Sequence, residues 1–295
     1  MTLLSNKKIL VFLLTTFSLS AIFWYLIISG DTAHDYTLGL MWSPGIAAII
    51  TQLLCTRSIR GLGWALPAPK YLLMAYVIPL IYAIVIYSFG WLTGIGPFNP
   101  KGFAEFITTP YPIFAGQPTY ITVTIGVLIV ATYELIKTGF TRTLGEELGW
   151  RGLLVPELAK RYSFTTTSLI SGVIWAVWHY PVLLLGGYNN AGAPLWFGLI
   201  CFTVSVIGIS FAFTWLRLKS DSVWPPMLFH ASHNTLIQAV FTPLTGRTAL
   251  APFLIDEFGI GLALAAVLVA YFFWRNAPKA ELGSVPNTIQ KEPML

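Results

Sequence analysis

Eight stretches of apolar residues follow one another along this chain, at 9–29, 38–55, 71–92, 121–143, 167–187, 195–216, 222–241 and 251–274. Each is close to the roughly 20 residues an α-helix needs to cross the hydrocarbon of a bilayer. That repetition constrains the fold more than anything else. Within lipid, a backbone must satisfy its own polar groups, and a helix does so inside one segment. The fourth stretch is read as a helix that runs on toward residue 156. Composition agrees: of 295 residues 56% are hydrophobic and 10% charged, whereas a soluble domain carries about 25% charged residues. So few charges could not cover a water-facing surface. The expectation is an all-α polytopic membrane protein over 1–275, a bundle of about eight transmembrane helices with its polar site in the cytoplasmic half of the bilayer. Residues 276–295 read as a polar tail containing Pro278, Pro286 and Pro293, expected to be disordered.

A formal charge of +5 and a pI near 9.2 would suit a nucleic-acid partner, but the cations do not cluster. They sit at the ends of apolar runs, where orientation in a membrane is decided, so no nucleic acid is expected. With the N-terminus in the cytoplasm, inner segments hold Lys7, Lys8, Arg57, Arg60, Lys70, Lys160, Arg161, Arg217, Lys219, Arg275, Lys279 and Lys291, and outer loops only Lys101 and Arg247. This bias predicts an integral multi-pass protein with both termini cytoplasmic. The outer loops also carry Asp31, Asp35, Glu105, Asp256 and Glu257, with His34 as a solvated side chain. The first run exceeds the 7–15 residues of a signal-peptide core and lacks a good cleavage site, so it reads as a retained helix. Cys55 and Cys201 lie toward opposite faces and predict no disulfide. Residues 93–120 read as a long external loop, and Gly90 with Gly94 as a close helix-packing pair.

Ionisable groups inside spanning helices cost about 2.5–3.5 kcal/mol at the centre, and they persist where they pair, line a cavity or do chemistry. Here they concentrate at Glu146-Glu147-Leu148-Gly149-Trp150-Arg151, at Trp175-Ala176-Val177-Trp178-His179, and at His230-Ala231-Ser232-His233-Asn234. Counting from the cytoplasmic ends at 1.5 Å per residue puts Glu146, His179, His230 and Asn234 all roughly 12–18 Å deep. Three helices can therefore bring them to one wet cavity opening to the cytoplasm. Glu147 and Arg151 are i,i+4 with the acid first, the favourable order for an ion pair. Glu146 is rotated about 100° from Glu147, which frees it to face the cavity. His230 and Asn234 share a helix face, with His233 close to it. Glu134 and Lys137, i,i+3, are expected to pair, and Trp175 and Trp178 to serve as packing and cavity wall.

A carboxylate and an imidazole can share activation of a water molecule, and a neutral imidazole with an amide can donate to a developing oxyanion. No Ser or Cys stands beside a base as a nucleophile. Glu146, His179 and His230 could alternatively hold zinc, although there is no HExxH. Blander readings compete: a histidine bonded to a backbone carbonyl for His179, and interhelical polar glue for His230 with Asn234.

At these residues the sequence resembles the CAAX prenyl protease and bacteriocin-processing type of intramembrane endopeptidase. Its signature, EExxxR, aromatic-xxxH and HxxxN, is met by Glu146-Glu147-xxx-Arg151, Trp175-xxx-His179 and His230-xxx-Asn234, with a family-like core at about 121–241. Trp175 stands where Phe is commoner. The resemblance implies that Glu146 and His179 activate water and that His230 and Asn234 stabilise the tetrahedral intermediate. Glu147, Arg151 and His233 would support them. It implies hydrolysis of a membrane-associated peptide or protein substrate, prenylated or bacteriocin-like, in the cytoplasmic leaflet of the lipid bilayer. The rival reading is a transporter, or a non-catalytic immunity or scaffold protein, that uses the same cluster for binding. The absence of paired halves weighs against a transporter.

Overall fold

A computed structural model describes residues 2–30, 35–188 and 192–277. Residue 34 and most of the tail lie outside the described residues. Ten helices appear among those described, with no strand beyond a single bridge between Phe98 and Thr245. They are α1 (Thr2–Ile28), α2 (Thr37–Thr56), α3 (Pro69–Thr93), α4 (Pro100–Thr108), α5 (Thr119–Ala159), α6 (Phe164–Leu184) and α7 (Leu195–Ser220). Then come α8 (Trp224–Leu236, continued by a π turn at Ile237–Phe241), α9 (Ala251–Leu254) and α10 (Ile260–Arg275).

Six of these, α1, α2, α3, α5, α6 and α7, are long and apolar enough to cross a bilayer. The other two expected spans are modified. That at 222–241 is present as α8, thinned in hydrophobicity by His230, His233 and Asn234. That at 251–274 is broken: α9 stops after one turn, Asp256 takes a positive φ of 70°, and α10 has 16 residues, about 24 Å at 1.5 Å each. The break has a physical cause. A Cβ at Gly259 would lie 2.3 Å from the Ile255 carbonyl oxygen, so only glycine permits the tight return that turns Glu257 inward.

The cationic ends meet on one face. Glu157 of α5 binds Lys8 at 3.0 Å and Lys160 at 2.8 Å, Arg161 donates to Asn6, and the Val223 amide donates to the Gly63 carbonyl at 2.8 Å. Phe12 packs edge-on to Trp150 and Trp178 donates its ring N–H to Ser20 at 2.8 Å. The first apolar run is thus an integral part of the bundle. At the opposite face, the 93–120 connection folds into α4, capped by Asn99, and is tied back through Asn99 N to Leu244 O at 2.7 Å.

Gly90 packs on Leu254, but Gly94 is the left-handed residue that ends α3 and has open space around it. The close-packed glycine pair lies elsewhere. A Cβ at Gly145 would sit 2.7 Å from the Met41 carbonyl oxygen, and one at Gly149 would sit 2.4 Å from Pro44 Cβ. Small residues four apart let α5 press on α2. Cys55 and Cys201 are both free.

Candidate active site

The three polar motifs converge. Glu146 from α5, His179 from α6, and His230, His233 and Asn234 from α8 all line one cavity of about 650 Å³. α5 reaches it through an irregular stretch, with wide π turns at Gly139–Thr143 and Leu148–Leu154 and a single α turn, Leu144–Glu147, between them. Such turns inside helices mark functional positions. Here they present the two adjacent acids to different partners.

Glu146 is 1% exposed. Its Oε2 accepts the ring N–H of Trp175 at 2.8 Å, so Trp175 does more than wall the cavity. His179 Nδ1 stands 2.9 Å from the Trp175 carbonyl. A carbonyl only accepts, so the proton sits on Nδ1 and Nε2 keeps its lone pair. The ring is wedged between Trp175, Trp178 and Phe202, with centroids 5.8, 4.7 and 5.2 Å away. The blander reading of a carbonyl-bonded histidine and the catalytic one are therefore compatible: the carbonyl fixes the tautomer that a base requires.

Glu147 and Arg151 pair at 3.0 Å with neither side chain exposed. Arg151 also donates to Ser210 at 3.3 Å, and its guanidinium lies 4.2 Å from the ring centre of Trp175 and 4.1 Å from that of Phe213. Glu147 does not serve Arg151 alone, because His230 Nδ1 lies 2.9 Å from the same Oε1. A carboxylate only accepts, so His230 Nδ1–H donates to it; Nε2 of a neutral ring can then only accept, and it donates to an oxyanion when the ring is cationic.

A second polar group shares the cavity wall: His233, expected beside the site, is joined there by Tyr82 and Glu257, which were not. His233 Nδ1 lies 2.5 Å from the Tyr82 hydroxyl and its Nε2 3.7 Å from Glu257 Oε1. Glu257 also accepts from Tyr188 O–H and, at 2.5 Å, from Gln238 Nε2. Read as an outer-loop acid, Glu257 is instead 7% exposed. Glu134 and Lys137 do pair, at 3.1 Å, and Glu134 also accepts from Tyr111 O–H.

Zinc was an alternative for Glu146, His179 and His230. Among the described residues, no three His, Cys, Asp or Glu side chains are grouped so that they could hold a metal ion.

A helical membrane bundle that buries paired glutamates and an arginine against two histidines and an asparagine has the features of the intramembrane CAAX-type endopeptidases. The comparisons agree. A family model for the Rce1-like type II CAAX prenyl endopeptidases matches residues 117–236, so that segment is similar to this family. CAAX prenyl protease 2 of Methanococcus maripaludis is 30% identical over 130 residues, 43% of this chain and 45% of that protein. The chain thus spans less than half the length of this relative. All of Glu146, Glu147, Arg151, His179, His230, His233 and Asn234 fall within the matched segment, whereas Tyr82, Gln238 and Glu257 fall outside it.

Proposed function

We propose that this protein is an intramembrane endopeptidase that hydrolyses a peptide bond of a membrane-associated substrate with water activated by Glu146 and His179. The observation that carries the reading is the meeting of Glu146, His179, His230 and Asn234, from three helices, on one cavity. His179 Nε2 keeps its lone pair, and both His179 and Glu146 line that cavity.

Glu146, held by the Trp175 N–H, or the Nε2 of His179 takes a proton as water attacks the scissile carbonyl. The carbonyl oxygen becomes an oxyanion, which the Asn234 amide and the cationic form of His230 stabilise by donating hydrogen bonds. Glu147 supports that cation through Nδ1 while remaining tied to Arg151. The proton taken from water then passes to the leaving amine as the C–N bond breaks. No covalent acyl-enzyme is required. A cavity of this size accommodates a few residues of extended peptide, in keeping with a short cleavable segment near a membrane anchor. A prenylated C-terminal peptide and a bacteriocin-like precursor both fit that description.

The test uses a membrane-tethered reporter. Glu146→Ala and His179→Ala each abolish cleavage, a loss of at least about 100-fold for an acid–base group, while the variants remain folded and inserted. Wild-type turnover in either would remove the proposed role. Thorough chelation leaves activity unchanged, and zinc add-back has no effect; loss on chelation with recovery on zinc would replace this mechanism by a metal-dependent one.

A further inference from the structure

The cavity has a direction. It is lined by Ile27 near the end of α1, Thr37 at the start of α2, Tyr111, Glu134, Gly187 and Tyr188. Every one of these belongs to the end of the bundle away from the N-terminus, and no lining residue comes from the cationic face. On the cationic side the site is closed. Glu147, Trp150 and Arg151 are fully buried, Arg217 Nε caps the Arg151 carbonyl at 2.9 Å, and Gly152 lies against Leu62. The mouth also carries exposed ions. Lys137 pairs with Glu134 at 3.1 Å and Arg142 with Asp35 at 3.1 Å, with Lys137 and Arg142 side chains 52% and 44% exposed. Exposed ions are costly in hydrocarbon, so the mouth belongs to water or headgroups.

Orientation comes from charge. Among the described residues the N-terminal face carries Lys7, Lys8, Arg57, Arg60, Lys70, Lys160, Arg161, Arg217, Lys219 and Arg275. The other end carries Lys101 and Arg247, and the mouth adds Lys137 and Arg142. Lys and Arg accumulate on the cytoplasmic side. The sequence reading had the cavity open toward that side; the lining residues place its mouth at the other end.

We infer that the mouth is extracytoplasmic, and that the substrate is a peptide segment exposed on the outer side of the membrane or tethered in its outer leaflet. This rests on the protease reading for the word substrate, but the direction of the cavity stands apart from it.

The test is the side from which the mouth can be reached, in the full-length chain in intact cells. Native thiols are removed as Cys55→Ser and Cys201→Ala. Single cysteines are then introduced as Thr138→Cys and Thr141→Cys at the mouth, Lys101→Cys on the 93–120 connection and Arg60→Cys on the cationic face. A membrane-impermeant maleimide is expected to label the mouth and Lys101→Cys variants in intact cells, and Arg60→Cys only after permeabilisation. The reverse pattern overturns the inference. So does equal labelling of Arg60→Cys in intact cells, which would mean mixed orientation. Labelling of Lys101→Cys with both mouth variants silent overturns it too, because the cavity would not open there. In parallel, a reporter with its cleavable segment outside is expected to be cut and its inverted counterpart spared. Reporter cleavage indifferent to Glu146→Ala would sink the protease reading while leaving the labelling result intact.

Discussion

The site contains two acid–histidine pairs built on opposite principles. Glu147 and His230 stand on the closed floor, where the acid's charge is met by a second full charge, that of Arg151, itself packed between the rings of Trp175 and Phe213. Glu257 and His233 stand on the wall, where the acid is served mostly by neutral donors, Tyr188 and Gln238, and the histidine by Tyr82. On the floor, removing one member strands a buried ion. On the wall, it strands hydroxyls and an amide. The floor pair lies in the segment that matches the family, while the wall acid comes from outside it.

The contrast can be broken from either side. The largest effect is expected for Glu147→Ala, which leaves Arg151 buried without its acid and costs about 3–5 kcal/mol. Chemical denaturation in detergent measures it, and a Glu147→Leu/Arg151→Met double variant should recover much of the loss. Next is Glu257→Ala, which leaves only neutral donors unpaired at the wall and costs about 1–3 kcal/mol. A loss as large as that of Glu147→Ala would show that His233 is a full cation there and would erase the distinction. The smallest is Tyr82→Phe, which removes one hydrogen bond to the His233 ring and costs about 0.5–1.5 kcal/mol by the same measurement.

Much of the floor was legible in the sequence and most of the wall was not. The i,i+4 spacing of Glu147 and Arg151 predicts their pairing, and the 100° step between adjacent acids separates Glu146, on Trp175, from Glu147, on His230 and Arg151. Both are properties of one helix. Glu257 was misread because its position depends on a break between α9 and α10 that hydropathy smooths over. The acid folds inward only because the 255–259 turn is held against the bundle. Tyr82 and Tyr188 carried no local signal, since aromatic residues are common in any spanning segment. The direction of the cavity was equally hidden, because it is set by which helix ends pack shut rather than by any run of residues. The glycine pair that matters, Gly145 and Gly149, was passed over for Gly90 and Gly94. Spacing alone cannot distinguish a packed glycine from one that ends a helix with a positive φ.

The wide turns of α5 have a consequence for how this helix tolerates change. Each holds one residue more than an α-helical turn of the same span, so deleting a single residue there can restore ordinary winding while the helix on either side keeps its register. In a regular α-helix the same deletion would rotate everything on one side by about 100° relative to the other. A deletion within Gly139–Thr143 is therefore expected to leave Glu134 and Lys137 on their present side while Glu146 keeps its place. In α5, the wide turns are where the length of the chain can change with the least disturbance to the side chains on either side.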